Sequence, residues 1–195
     1  MTVKIYLASR SPRRGELLRQ IGVDFEVLPS DIDESVRPGE APEHYVLRLA
    51  REKAEACMQR LQQDGRPLMP ILAADTTVCA DGEILGKPES DAEAHAMLRR
   101  MADRWHSVHT GVALAWNGQV EVLISSTQVE MAPLSDEEIA AYIATGEPHD
   151  KAGSYGIQGL AGAFIRRIEG SFTGVMGLPV YETAQLLKKA GLNVL

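Results

Sequence analysis

The chain has 195 residues and a net charge of −7, with a pI near 5.3. That excludes a general nucleic-acid binder, which would carry a basic surface. Hydrophobic residues make up 45% and aromatics 5%, so the core must rest on Leu, Ile, Val, Ala and Met, enough for one domain in two lobes. Two cysteines, Cys57 and Cys79, are too few for a zinc site and read as small buried side chains in a reducing compartment. No run reaches membrane length and no long apolar segment opens the chain, so a soluble cytoplasmic protein without a membrane partner is expected.

The apolar run from Ile5 to Ala8 predicts a buried strand. Ser9-Arg10-Ser11-Pro12-Arg13-Arg14 follows. Ser11 suits an N-cap and Pro12 the first position of a helix reaching about Ile21, with Gly22 beyond its end. Arg13 and Arg14 then fall in the first turn. The dipole and free N–H groups make that end positive, so two arginines there call for an anion. Serine hydroxyls, free amides and two guanidinium forks form a phosphate cradle.

Val23, Phe25 and Val27 alternate with acids, as in a half-buried strand. The loop from Ser30 to Ser35 carries Asp31, Asp33 and Glu34, and reads either as a solvated loop or as a metal-binding edge. A helix is predicted from His44 to Gln62. Its apolar stripe runs through Val46, Leu49, Ala50, Ala54, Cys57 and Leu61, and Lys53 lies at the centre of it. Lysine is rarely buried without a partner, so Lys53 either snorkels out past the stripe or, the favoured reading, lines a cleft where its ammonium meets an anion.

Pro70 to Cys79 is β-like and apolar, with Asp75 alone in its middle and Thr76 and Thr77 beside it. A lone carboxylate in an interior strand is costly unless it is paired or holds a metal, which makes Asp75 the leading catalytic candidate. Asp81-Gly82 and Asn117-Gly118 predict hairpins, and the second joins strands Trp105–Trp116 and Val120–Met131. Lys87, before Pro88, is expected to be extended. Ser90 with Glu93 and Ser135 with Glu138 predict capping boxes. His106 and His109 point to opposite faces of a strand, against a shared metal.

Glu147 to Lys151 is expected to be a loop. Ala152 to Gly162 holds four glycines with Tyr155, Ile157 and Gln158 between them, which predicts a close-packed site loop rather than a linker. Ala163–Ile165 is expected to be a strand, Gly170–Gly174 a turn, and Val180, Ala184 and Leu187 the stripe of a last helix.

The polar residues in unusual settings are Ser9, Ser11, Arg13, Arg14, Glu34, Lys53, Asp75, Thr76, Lys87, Lys151 and Gln158. Many cations with a few carboxylates suit a polyphosphate and Mg²⁺, which takes one or two acidic ligands plus phosphate oxygens. No Walker loop, kinase signature or serine nucleophile elbow is present. The simplest chemistry is attack of water on a phosphoanhydride.

Five stretches in order resemble the successive motifs of the Maf family. They are Ser9–Arg14, Ala74-Asp75-Thr76, Gly86-Lys87-Pro88, Lys151–Gly159 and Gly177-Leu178-Pro179. The resemblance implies an α/β fold with a mixed twisted sheet in two lobes around a cleft, similar to the inosine triphosphatase fold. It implies hydrolysis of a nucleoside triphosphate to monophosphate and pyrophosphate with a divalent cation, Mg²⁺ or Mn²⁺. The Tyr155–Gly159 loop resembles the dTTP/UTP branch, with modified pyrimidine nucleotides as further substrates. By that resemblance Asp75 is the proton acceptor. Arg13, Thr76 and Gln158 select the base, and Ser9, Ser11, Arg14, Glu34, Lys53 and Lys87 complete the pocket. Glu34 and Asp75 are the acids expected to bind the metal, Asp75 being a base, a metal ligand or both. Arg10 departs from the family pattern and would add a phosphate contact. A homodimer is a further expectation. The alternatives are a 7-methyl-GTP or other purine nucleotide pyrophosphatase, and a nucleotide-sensing protein that inhibits septum formation.

Overall fold

The computed structural model describes residues 3–194. The first half holds β1 (Val3–Leu7), α1 (Pro12–Gln20), β2 (Val23–Val27), α2 (Pro42–Gln63), β3 (Ile71–Ala80), β4 (Glu83–Leu85) and α3 (Asp91–Met101). The second holds β5 (Trp105–Trp116), β6 (Gln119–Met131), α4 (Asp136–Ala144), β7 (Ile165–Glu169), α5 (Phe172–Met176) and α6 (Val180–Lys189). Among the described residues the strands form one mixed sheet in the order β2-β1-β3-β5-β6-β7, with β4 paired to β3. β1 runs parallel to β2 and β3, and the other pairs are antiparallel. The expected mixed α/β class is therefore observed.

One irregularity of pairing positions everything else. β5 covers one edge of β3 from Ile71 to Cys79. The opposite edge is shared. β1 takes Ile71 and Leu72, and β4 takes Val78 to Ala80. Between them Ala73 to Thr77 has no strand partner on that side. Asp75 and Thr76 stand at this notch, just where β1 ends and the chain turns into α1.

Each face of the sheet buries a different helix set. Ala50, Ala54, Cys57 and Leu61 of α2 pack on Tyr6, Ile71, Ala73, Ala113 and Ala115. The small residues bring helix and sheet close together. At Gly111, opposite Asp75 in register, a Cβ would overlap the Val46 carbonyl oxygen of α2. On the other face Leu17 and Leu18 of α1 and Leu186 and Leu187 of α6 meet Ile5, Leu7, Leu72 and Val112. A third core joins Leu98 and Met101 of α3 and Ile139 and Tyr142 of α4 to Val78, Val108 and Val129. Full burial of each large aliphatic residue here stabilises the fold by about 1.5–3 kcal/mol.

Both Asp-Gly and Asn-Gly hairpins form, with positive φ at Asp81, Gly82, Asn117 and Gly118. Several expectations need correction. Val27 is 51% exposed, at the end of an edge strand; Val23 is buried with Leu17 and Leu18 of α1, and Phe25 lies partly buried beside Gly15. Ser11 occupies the N-cap position of α1, but its side chain caps nothing. Ser90 accepts from the Glu93 amide, yet Glu93 reaches back to the Glu89 N–H rather than to Ser90. The Ser135–Glu138 box is complete. Glu147–Asp150 is a 3₁₀ turn rather than a loop, and Leu160–Phe164 is another, which delays β7 to Ile165. The stretch from Gly170 to Gly174 enters α5, whose N-cap Ser171 accepts from the Gly174 N–H.

Candidate active site

A cavity of about 570 Å³ opens over the notch in β3. All ten residues predicted for the site line it: Ser9, Ser11, Arg13 and Arg14 from the β1–α1 turn, Glu34, Lys53 of α2, Asp75 and Thr76 of β3, Lys87 and Gln158. The lining includes six cations (Arg10, Arg13, Arg14, Lys53, Lys87, Lys151) against three acids (Glu34, Asp75, Asp150). The wall is thus net positive by three, although the chain as a whole carries −7. Such a field concentrates anions.

Alternation along β3 sends Asp75 and Thr76 to opposite faces. Asp75, 7% exposed, meets Lys53, 8% exposed, with Nζ 2.7 Å from Oδ1. The same ammonium lies 2.8 Å from Glu34 Oε1. One buried cation thus joins two carboxylates from separate loops and strands. Burial pushes the Asp75 carboxyl above its ordinary value, and the Lys53 and Arg14 charges oppose that without cancelling it. The Tyr45 hydroxyl donates to the Glu34 backbone carbonyl at 2.8 Å and holds this loop over the cleft.

On the Thr76 side, Arg14 reaches inward. Its Nε donates to the Gly177 carbonyl at 2.8 Å, Nη1 to Ser9 Oγ at 2.9 Å and Nη2 to Thr76 Oγ1 at 3.3 Å. Burial lowers its pKa, with the Asp75 charge working the other way. Ser9 Oγ also accepts the Ser11 N–H at 3.2 Å. Both lone pairs of that hydroxyl are then engaged, so its hydrogen is left to donate into the cleft. Arg13 stays on the cleft surface and pairs with Asp150 at 3.3 Å.

The glycine-rich loop closes the far side. Gly153 has φ +68 and sits on Val78; a Cβ there would come within 2.9 Å of that side chain. A Cβ at Gly159 would meet the Glu147 carboxylate at 2.5 Å. Glu147 accepts from the Leu160 N–H and the Tyr142 hydroxyl, pinning the loop. Tyr155 is buried against His106, with 2.7 Å between its hydroxyl and Nε2. Gln158 is exposed at the cleft.

A family model described as Maf-like protein matches residues 4–190. The chain belongs to the Maf family. Among its relatives, the Methylobacillus flagellatus protein named dTTP/UTP pyrophosphatase is 63% identical over 98% of this chain and 94% of its own length. The Chromobacterium violaceum protein of the same name is 56% identical over 98% and 96%. The solved Staphylococcus aureus Ham1 structure overlaps 66% of this chain and 72% of its own, at 19% identity and a TM-score of 0.47.

In this Maf chain the five motif stretches come together. All five contribute to the cavity wall, and Gly177 also supplies the carbonyl that takes Arg14 Nε. Arg10 lies on the rim, where it pairs with Asp31 at 2.9 Å. Sequence reasoning missed Tyr45, Asp150 and Thr110. Tyr45 and Thr110 sit in regular elements and carry no local motif. Asp150 falls among other polar residues and carries no signal of its own.

Among the described residues no group of three or more His, Cys, Asp and Glu side chains converges. Of the three carboxylates at the cleft, Asp150 is paired with Arg13 and Lys151, whereas Glu34 and Asp75 lie together around Lys53 and are the candidate hard oxygen donors. That donor set fits Mg²⁺ or Mn²⁺ shared with phosphate oxygens, because such an ion needs one or two carboxylates and takes the rest from substrate and water. No helix is long and apolar enough to cross a membrane among the described residues.

Proposed function

We propose that this chain hydrolyses dTTP and UTP, and modified pyrimidine analogues of them, to the monophosphate and pyrophosphate. The observation that carries the reading is the buried Lys53–Asp75 pair at the floor of a cation-lined cleft. The names of the relatives, at 50–63% identity, support the substrate class.

Asp75 takes the proton of the attacking water. Its Oδ1 is held by Lys53, which fixes the carboxylate, while burial raises its basicity. The water oxygen becomes bonded to the α-phosphorus as the bond to the β-phosphate oxygen breaks, and pyrophosphate departs. Arg14 and Lys87 neutralise charge on the phosphate oxygens, and the Ser9 and Ser11 hydroxyls donate hydrogen bonds to them. A divalent cation bound at Glu34 and Asp75 would supply further charge neutralisation on the phosphates. Arg13, Thr76 and Gln158 contact the nucleoside. Gln158 offers both a donor and an acceptor, as a uracil or thymine edge requires. The continuous sheet and the family match over residues 4–190 support reading the whole chain as one domain in two lobes, which we place in the cytoplasm.

The test is a panel of nucleoside triphosphates with Mg²⁺ or Mn²⁺, scored for pyrophosphate, with and without chelator. dTTP and UTP should lead, and the chelator should stop turnover. Leading purines, or release of orthophosphate instead, would overturn the assignment.

A further inference from the structure

Thr110 lies on β5, directly opposite Thr76 in the β3–β5 register, and is fully buried behind the cleft. Its hydroxyl is 2.9 Å from Thr76 Oγ1 and 2.8 Å from the Gly174 carbonyl oxygen. A carbonyl can accept but never donate, and a threonine hydroxyl has one hydrogen. That hydrogen of Thr110 is therefore spent on Gly174. Toward Thr76, Thr110 can act as acceptor alone, so the Thr76 hydrogen points away from the cleft and into β5. Arg14 Nη2 fills one Thr76 lone pair from α1. What Thr76 presents to the cavity is its remaining lone pair.

We infer that Thr110, with the Gly174 carbonyl, is a positioning residue that fixes Thr76 as a hydrogen-bond acceptor and so makes it a reader of donor groups on the nucleoside. Phosphate oxygens at neutral pH are acceptors, and Thr76 has no hydrogen to offer them. Ser9 is the opposite case. Both of its lone pairs are filled by Arg14 and the Ser11 amide, and its hydrogen is free for a phosphate. The two hydroxyls that Arg14 binds are thus sorted, Ser9 left to donate and Thr76 left to accept.

The backbone that supplies the Gly174 carbonyl is itself held. Ser171 accepts the Gly174 N–H at 3.0 Å, and a Cβ at Gly174 would come within 2.9 Å of Ser125 Oγ. The chain Arg14 to Thr76 to Thr110 to Gly174 is directed along its whole length, and each bond polarises the next. A base that places an N–H at Thr76, as uracil and thymine do at N3, completes the chain. A base that places a lone pair there, as cytosine does, faces two acceptors with no hydrogen between them.

This inference rests on the pyrimidine reading above, and the experiment separates the two. UTP and CTP hydrolysis are measured for the native enzyme and for the Thr110→Val, Thr110→Ser, Thr76→Val and doubly substituted Thr76→Val/Thr110→Val proteins, with kcat and KM resolved. Valine at position 110 frees the Thr76 hydrogen to turn toward the cleft. The UTP-over-CTP preference should fall by about tenfold, the scale of one hydrogen bond, and the change should lie in KM. Serine at 110 keeps the hydroxyl and should keep the ranking. The double substitution should match Thr76→Val alone, because Thr110 acts through Thr76. An unchanged preference in folded Thr110→Val would overturn the inference, as would additive effects in the double variant. If Thr110→Val fails to fold, the native enzyme is assayed with N3-methyl-UTP and with Thr76→Val. Equal discrimination against the methylated base with and without the Thr76 hydroxyl would also overturn it. Absence of pyrophosphate release from UTP by the native enzyme would instead refute the pyrimidine reading.

Discussion

Lys53 on α2 and Asp75 on β3 meet at 2.7 Å, and Gly111, opposite Asp75 in register, lets α2 approach the sheet closely at Val46. Both are almost wholly buried, so neither charge is tolerable alone. Removing one partner of such a pair costs about 3–5 kcal/mol, because the other is left charged in a poorly solvating interior. Lys53→Met should therefore lower the urea midpoint strongly, and Lys53→Met/Asp75→Asn should recover much of the loss. Asp75→Asn alone should abolish turnover while nucleotide binding stays measurable. A single variant with native activity would remove the pair from the mechanism.

The raised Asp75 carboxyl sets a pH dependence with a definite sign. As general base it works when ionised, so the acid limb of kcat/KM should lie above the ordinary carboxylate value of about 3.9. Lys53 holds that pKa down, so its replacement should move the limb to higher pH. Stability runs the other way. The folded chain binds this proton more tightly than the unfolded chain, so the associated stability is present at low pH and lost as pH rises through the folded value. Asp75→Asn should consequently flatten that fall, as read from urea titrations across the acid range.

Much of this was legible in the chain. Lys53 at the centre of the α2 stripe and Asp75 in an apolar strand are both violations of local pattern, and such violations mark sites. The glycine-rich loop was legible for a related reason, since Tyr155 and Ile157 among glycines promise burial. What the sequence did not disclose is how the pieces meet. Lys53 pairs with the protein's own carboxylates rather than standing open to an anion, which depends on register and on the closeness of α2 to the sheet. Thr110 gives no local signal, because a threonine in a strand is ordinary. Val27 alternates correctly and is exposed because nothing covers that end of an edge strand.

Gly111 offers a way to test the closeness itself. A Cβ there overlaps the Val46 carbonyl, and helix backbone in the second turn of α2 cannot swing aside as a side chain can. Gly111→Ala should cost about 1–3 kcal/mol by forced displacement of α2. It should also lower kcat by drawing Lys53 away from Asp75. Gly86→Ala is the control for stability, since a Cβ at Gly86 meets nothing within 4 Å. Equal thermal midpoints for the two variants would show that α2 does not depend on this contact.

His106 provides a second titration, separate from the cleft acids. Burial pushes its pKa down from 6.5 to about 4, and its Nδ1 has no partner. The unfolded chain binds the proton more readily, so this stability is complete above pH 6.5 and is lost as pH falls toward 4. The loss amounts to about 3 kcal/mol. His106→Gln should remove that slope. Because His106 holds the Tyr155 hydroxyl, acid should also loosen the loop that carries Gln158. Urea midpoints at pH 7 and pH 5 for both proteins decide it: parallel losses would exclude His106.

Gln158 is the one nucleoside-side residue whose terminal group is free to choose its role. Its amide gives a donor and an acceptor, whereas a glutamate at neutral pH gives acceptors alone. Uracil and thymine carry two carbonyls flanking one N–H, so they need a donor from the protein as well as an acceptor. With Thr76 supplying an acceptor, the donor is what Gln158 must add. Gln158→Glu should therefore weaken UTP and dTTP by about tenfold or more, and by more than it weakens CTP, whose amino group welcomes a carboxylate. The added negative charge lowers affinity for every triphosphate, so the ratio between substrates is the measurement rather than the absolute rate. A uniform loss across UTP, dTTP and CTP would mean that the position acts through charge and does not read the base.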